Sequence, residues 1–233
     1  MTHSLANFMK RFFSHYLPVQ KGLSTHTIAA YRDAIKLLLC YAADTGRTPV
    51  DKLAVEDITE KVVLGFLDYV QEVRSCSART RNARLAAIHS LFGFIAREQP
   101  ELLAQCQRIR AIPLKRTEHR TVDYLEENEM QAILDSVEIN SRTAIRDRAL
   151  LLLFYNTGAR VSEIVELKLC DLRLDGTAQV ELLGKGSKHR ACPLWPETVV
   201  ALRAYFKQRT PKQPATERLF LNANGVSITR FGI

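Results

Sequence analysis

The sequence of 233 residues predicts a mainly α-helical protein with a four-helix amino-terminal domain and an α+β second domain that carries a small three-stranded antiparallel sheet. Three observations predict this architecture. Apolar residues recur every three or four positions through the first hundred residues, a proline-containing basic stretch interrupts that pattern, and the apolar period shortens to two after residue 170. No apolar run reaches the roughly 18 residues of a membrane span, so a cytoplasmic location is expected.

Four helices with short connections are predicted for the amino-terminal domain, residues 1–104. Each has an apolar face; polar residues at Ser24, Thr59 and Ser77 are suited to start the last three helices, and Gly46 and Pro100 end the second and the fourth. Amphipathic helices joined in this way are typical of a compact bundle. The four helices cover approximately residues 5–16, 24–46, 60–73 and 77–99.

A basic linker is predicted over residues 105–121. This stretch contains a single acidic residue, Glu118, and Pro113 interrupts regular structure. Two interpretations are open: a solvated tether between domains, or a segment that lies along phosphate groups and releases their counterions. On the second interpretation the candidate DNA-binding residues are Arg108, Arg110, Lys115 and Arg116.

The second domain, residues 122–233, is predicted to combine helices with a three-stranded meander. Gly158 ends a strongly apolar helix, and the turns Asp175-Gly176 and Gly184-Lys185-Gly186 separate short alternating stretches. The predicted helices cover about 125–137, 142–156, 161–167 and a segment from 196, and the predicted strands cover about 171–174, 178–183 and 189–194.

The charge balance favours a polyanionic partner. Thirty-three Lys and Arg residues oppose 25 Asp and Glu residues, which gives a formal charge of +8, and nucleic acid is the leading partner class for such a protein. The alternative is a basic helical interaction protein without a nucleic-acid role. The five cysteines form no CxxC pair and are predicted to be buried, reduced thiols; no metal and no other cofactor are expected.

A cluster of three arginines, Arg79, Arg81 and Arg84, lies at the predicted start of the fourth helix. Cations at a helix amino terminus oppose the helix dipole, which makes this placement locally unfavourable unless an anion binds there. Arginine can bind a phosphate or a guanine edge with two parallel hydrogen bonds. The cluster is therefore a candidate DNA-binding site, and the alternative is an ordinary solvated helix face.

Two further cations lie at predicted turns of the second domain. Arg160 follows the helix that ends at Gly158, where it could hold a phosphate oxygen, and Glu163 could orient its guanidinium. Lys185 lies between two glycines at a hairpin tip, where its ammonium could neutralise a phosphate or protonate a leaving oxygen. The alternatives are a structural Arg–Glu pair and an exposed turn.

These motifs together resemble the tyrosine recombinase or phage integrase family, nearest its Xer-like members. The resemblance rests on Asn156-Thr157-Gly158-Ala159-Arg160-Val161-Ser162-Glu163-Ile164 followed by Gly184-Lys185-Gly186-Ser187-Lys188-His189-Arg190, and earlier on Leu23-Ser24-Thr25-His26-Thr27 and Ser77-Ala78-Arg79-Thr80-Arg81. It implies a core-binding domain at 1–104 and a catalytic domain at 122–233 that clamp duplex DNA.

The resemblance also implies roles for single residues. Arg160 would bind a non-bridging oxygen of the scissile phosphate, with Glu163 in support, and Lys185 would protonate the departing 5′ oxygen. No metal is implied, because two arginines supply the neutralising charge in this family. The further DNA-binding residues that it implies are Thr25, Thr27, Lys188 and Arg190.

The sequence departs from the family pattern after the hairpin. The family requires a His-x-x-Arg helix, a further His or Trp, and a nucleophilic tyrosine, yet His189 is the last histidine and Tyr205 the only tyrosine after Lys185. Tyr205 is predicted to be a core residue. We therefore expect a recombinase truncated before its last helices that binds duplex DNA without cleaving it alone. The alternatives are that the natural protein continues past residue 233, or that the chain is an inert remnant that blocks or joins intact recombinase protomers.

Overall fold

The computed structural model describes residues 4–117, 123–137, 143–184, 186, 188–212 and 217–233. The chain divides into two compact units, residues 1–121 and 122–233. Helices dominate both units, and the second also contains a three-stranded antiparallel sheet. The mainly helical fold class and the small sheet predicted from the sequence are confirmed.

The amino-terminal unit begins with α1, whose last turn continues directly into a π-helical segment that contains Pro18. Ser24 and Ser77 are N-caps, because their side chains accept hydrogen bonds from backbone N–H groups three residues on. A fully buried core containing Phe12, Phe66 and Phe92 holds the helices together. The elements are α1 (Leu5–Arg11), the π-helical segment (Phe12–Gln20), α2 (Thr25–Gly46), α3 (Glu60–Glu72), α4 (Ala78–Glu98) and α5 (Leu103–Arg110).

Helix α5 (Leu103–Arg110) overlaps the first part of the stretch that the sequence predicts to be a linker. Its Cys106 and Ile109 are fully buried against the amino-terminal core, whereas Arg108 and Arg110 are exposed. Two apolar residues three positions apart are enough to fix one face of a short helix. The polar and charged residues around Cys106 and Ile109 mask this pattern in the sequence. The amino-terminal helices therefore extend to Arg110 and not only to the predicted boundary at residue 104.

The carboxyl-terminal unit packs its helices and sheet around a second core that includes Leu153, Ile164, Leu182 and Leu202. Gly158 has φ +58° and ends α7 in the left-handed conformation that its predicted role requires. The strands pair in the order β1-β2-β3, both pairs antiparallel, as predicted. The elements are α6 (Glu127–Asp135), α7 (Ala144–Thr157), α8 (Val161–Glu166), β1 (Leu172–Arg173), β2 (Gln179–Leu183), β3 (His189–Pro193) and α9 (Pro196–Gln208).

All five cysteines are free thiols, but the predicted burial holds fully for one of them only, and Cys76 and Cys192 are half-buried. Cys106 is buried, whereas Cys40 and Cys170 are exposed. Cys40 lies between the buried residues Leu38 and Ala42 on the opposite side of α2, so the thiol points away from the core. In the described residues, no helix combines the length and the apolar character needed to cross a bilayer.

The packing of α4 against α5 is expected to weaken in acid through His89. Burial lowers the pKa of His89 from its ordinary value of 6.5; a backbone hydrogen bond at Ile109 opposes this effect, and nearby Arg110 reinforces it. The unfolded chain therefore takes up the proton first, so stability is complete above about pH 6.5 and falls as the pH drops through that value. Denaturant unfolding of the full chain at about pH 7.5 and about pH 5.5 should show this loss, and His89→Gln should reduce it. An unchanged pH dependence in that variant would contradict the assignment.

Candidate functional site

Arg160 is held at the start of α8 with most of its side chain in solvent. It is the N-cap residue of α8, and its backbone N–H donates to Glu163 Oε2 over 3.0 Å, as in a capping box. Its Nη1 also donates to Glu163 Oε1 over 2.9 Å. Because the side chain remains 65% exposed, one edge of the guanidinium is fixed and the remaining N–H groups are available to an anion.

Glu163 is the buried centre of this arrangement, with a side chain only 3% exposed. Arg190 on β3 donates to both carboxylate oxygens, from Nη2 to Oε2 over 2.7 Å and from Nη1 to Oε1 over 3.3 Å. The hydrogen bonds from Arg190, followed by those from Arg160, lower the pKa of Glu163 to about 2, although burial acts in the opposite direction. Two guanidiniums therefore share one carboxylate. We call Arg160, Glu163 and Arg190 the arginine–glutamate cluster; it carries one net positive charge.

The hairpin that joins β2 to β3 lies against this cluster. Lys185 and Ser187 fall outside the described residues, but Gly184 and Gly186 are described. A Cβ atom at Gly184 would lie 3.3 Å from Arg190 Nη1 and 3.5 Å from Glu163 Oε1, so the absence of a side chain permits this close approach. The residue next to Lys185 thus borders the carboxylate that holds Arg160.

The three arginines of the predicted cluster at the start of α4 differ in their exposure to solvent. Arg79 is exposed, and Arg84 is half-buried with its Nη1 3.2 Å from Cys76 Sγ. Arg81 is 4% exposed, and its Nε has no hydrogen-bond partner in the described part of the chain. The prediction that Arg81 presents its guanidinium to DNA is therefore corrected, because this residue occupies the buried face of α4, one turn before Leu85.

The other predicted binding residues lie at the surface or next to it. Thr25 is exposed, and the half-buried Thr27 places its hydroxyl 3.0 Å from Ser24 Oγ within the cap of α2. The remaining predicted cations, apart from the half-buried Arg190, are exposed: Arg108, Arg110, Lys115, Arg116 and Lys188.

The sequence analysis does not identify Asn82, a residue of α4 next to the arginine cluster. The Asn82 side chain donates from Nδ2 to the Lys115 carbonyl over 2.7 Å and accepts the Lys115 N–H at Oδ1 over 3.0 Å. The Lys115 ammonium also donates to Gln71 Oε1 over 2.5 Å. Because 33 residues separate Asn82 from Lys115, no local pattern in the sequence could have revealed this pairing.

A groove of about 870 Å³ in the carboxyl-terminal unit is separate from these residues. Helices α6, α7 and α9 border it, and Tyr155 and Trp195 meet on its wall with ring centroids 5.3 Å apart. No member of the arginine–glutamate cluster lines the groove. Its lining combines apolar side chains with Glu127, Arg148 and Glu197, and this balance of charge does not favour a phosphate.

Comparison with known proteins covers both units. The model of the phage integrase family matches residues 123–232, and the model of the phage integrase N-terminal SAM-like domain matches residues 10–99. The integrase/recombinase protein y4rC of Sinorhizobium fredii is 37% identical over 230 residues, which span 99% of this chain and 69% of that protein. Tyrosine recombinase XerD of Staphylococcus epidermidis is 32% identical over 224 residues, 95% of this chain and 72% of the relative.

Solved structures share the fold. XerH site-specific recombinase bound to its palindromic difH substrate has a TM-score of 0.67 at 23% identity, over 87% of this chain and 58% of that one. A lambda integrase dimer bound to a COC′ core site has a TM-score of 0.70 at 18% identity, over 99% of this chain and 60% of that one. The chain thus spans about three-fifths of the length of each of these solved proteins.

Proposed function

This chain belongs to the phage integrase family of tyrosine recombinases, and on that premise we propose that its 233 residues bind duplex DNA at sites of recombination. Residues 1–104 would serve as the core-binding domain, 105–121 as the connecting segment, and 122–233 as part of the catalytic domain. The boundary between the first two segments moves to the end of α5, because Cys106 and Ile109 of this helix pack in the amino-terminal core. Similar chains in solved structures are bound to DNA as dimers or tetramers, which supports duplex DNA and other recombinase protomers as partners.

The arginine–glutamate cluster carries the proposal. Arg160 presents free N–H groups to solvent while Glu163 fixes its other edge, and this geometry suits the binding of a non-bridging phosphate oxygen. The preorganised charge would stabilise a transition state without further rearrangement. Arg190 has both Nη groups on Glu163, so its contribution would be to hold the carboxylate; its contact with DNA, like that of Lys188 and the role of Lys185, stays a prediction.

We further propose that these 233 residues do not by themselves form a phosphotyrosyl link. Tyr205 is 5% exposed, its hydroxyl donates to the Leu219 carbonyl and accepts the Leu221 N–H, and burial raises its pKa. These contacts place the hydroxyl in the core, as the sequence predicts, where a DNA phosphate has no access. Tyr205 is the only tyrosine after the hairpin within these 233 residues, so we propose duplex binding without covalent attachment for them; the alternative is a remnant that blocks or joins intact recombinases.

Duplex binding and covalent attachment can be measured in one experiment. At about 50 mM salt the polypeptide should shift a labelled duplex of about 30 base pairs, and the affinity should fall steeply as salt rises. After SDS denaturation no labelled DNA should stay attached to the protein, whereas an intact tyrosine recombinase on its own site should form an adduct. A covalent adduct would contradict the inert assignment. Failure to shift the duplex at low salt would favour the interaction protein without a nucleic-acid role.

A further inference from the structure

The basic segment that follows α5, residues 111–117, is joined to α4 through Lys115, while Ile112 is buried in the amino-terminal core and the Lys115 ammonium donates to Gln71 on α3. We call this segment the strap. Asn82 pairs with both the N–H and the carbonyl of Lys115, at 3.0 and 2.7 Å, as a neighbouring strand would in a ladder. Beyond its first residue the strap has no regular secondary structure. The Asn82 amide therefore supplies backbone partners that the strap would otherwise obtain from water.

A second donor fixes the orientation of this amide. Arg81 Nη1 approaches Asn82 Oδ1 at 3.3 Å, so this oxygen faces both the buried guanidinium and the Lys115 N–H. Within the described residues Arg81 makes no ion pair with a carboxylate. The Asn82 carbonyl oxygen is favourably placed beside the buried Arg81 cation. If the side-chain amide were rotated by 180°, its NH₂ group would face two donors, Arg81 Nη1 and the Lys115 N–H. Arg81 thus acts inside the fold by holding Asn82.

Asn82 also lies among the cations at the start of α4. Arg79 lies three residues before Asn82, so the two side chains share one face of α4, whereas Arg84 lies on the other side of the helix with its Nη1 on Cys76 Sγ. The exposed Arg116 follows Lys115 directly, so the strap brings its two cations to the same end of α4. A strap fixed before binding loses less conformational entropy when it meets DNA than a free tether would lose.

We propose that Asn82 is a positioning residue that joins the strap to the amino end of α4, so that Lys115, Arg116 and Arg79 form one phosphate-binding surface. This inference rests on the proposed DNA-binding function. It assigns Asn82 a role in DNA binding without contact with DNA, and it selects the positioned strap over the solvated tether.

Asn82→Ala tests the proposal in the full chain. The Lys115 amide should exchange with deuterium at least tenfold faster than in the wild type, because its acceptor is lost. The log–log salt slope for binding a duplex of about 30 base pairs should fall by about two, which corresponds to the loss of two phosphate contacts at about 0.9 each. Ala83→Ser, an exposed neighbour on α4, is the matched control and should change neither quantity.

Two variants at Lys115 test the same Asn82–Lys115 contact from the strap and leave the sequence of α4 unchanged. Lys115→Ala removes the ammonium but keeps the N–H, whereas Lys115→Pro removes both, so only the proline variant should also lose the contribution of Arg116. Unchanged Lys115 exchange in Asn82→Ala, or faster exchange with an unchanged salt slope, would overturn the proposal. Equal slopes for the two Lys115 variants would overturn it as well. If the wild type does not bind the duplex at all, the proposed function itself fails, and the inference fails with it.

Discussion

Glu163→Gln is expected to lower the free energy of unfolding of the carboxyl-terminal unit by up to about 3 kcal/mol at pH 7. The pKa of this carboxyl falls from 4.5 to about 2 on folding, and about 2.5 pKa units at roughly 1.36 kcal/mol each give this magnitude. The Glu163 side chain is 3% exposed, but those of Arg190 and Arg160 are 38% and 65% exposed, so solvent screening makes this magnitude an upper limit. The chain has one tryptophan, Trp195, in this unit, and its fluorescence during urea unfolding provides the measurement.

The pH dependence separates an electrostatic role of Glu163 from simple packing. Because folding lowers the pKa of Glu163, its contribution is complete above about pH 4.5 and is lost as the pH falls toward 2. The difference between wild type and Glu163→Gln should therefore shrink between about pH 7 and about pH 3. Arg190→Ala serves as the matched partner, and its effect should overlap strongly with that of Glu163→Gln in a double-mutant cycle. A difference that stays constant with pH would contradict the assignment.

Arg160→Ala is expected to weaken duplex binding at least tenfold while leaving the unfolding midpoint nearly unchanged. A hydrogen bond to a charged group contributes about 1.5–3 kcal/mol, which corresponds to roughly ten- to a hundredfold in affinity. Stability should survive, because Arg190 still pairs with Glu163 and the Arg160 side chain is mostly in solvent. Fluorescence anisotropy with a labelled duplex at about 100 mM salt measures the affinity.

Two controls accompany Arg160→Ala. Arg160→Lys keeps the charge without the planar fork and should fall between wild type and alanine. Lys207→Ala removes an exposed cation of α9 and should weaken binding much less. If Arg160→Ala lowers stability or solubility and leaves binding unchanged, the Arg160–Glu163 contact is a structural ion pair only.

Local signals in the sequence were sufficient for most of the fold. Ser24 and Ser77 cap the helices they were expected to start, and Gly158 ends α7 with the positive φ that glycine allows. Alternating residues and glycine turns predict the meander, whose strands differ by one or two residues at their ends. The pattern does not indicate helix α5, because its two glutamines and two arginines outnumber the two apolar residues, Cys106 and Ile109, that are buried.

The contacts of the site could be predicted only where the two residues lie close together in the sequence. Arg160 and Glu163 are three residues apart, and this spacing indicates their pairing. Arg190 is 27 residues from Glu163 in the sequence, and the two meet only because the sheet folds β3 back beside α8. The sequence therefore predicts Arg190 as a binding cation but does not predict Glu163 as its partner. The burial of Arg81 does leave a signal, since Arg81, Leu85, Ile88 and Phe92 follow the spacing of one helix face.

The π-helical segment Phe12–Gln20 affects how the chain tolerates changes in length. Each π turn holds more residues than an α turn, so this stretch already accommodates surplus chain while Phe12, Tyr16 and Leu17 stay buried. Removal of one residue near its end can be absorbed by a return to α-helical winding. The same removal inside α4 would rotate all later side chains by about 100° and turn Ile88 and Phe92 away from the core. Length variants among related chains should therefore accumulate at the first segment and be excluded from α4.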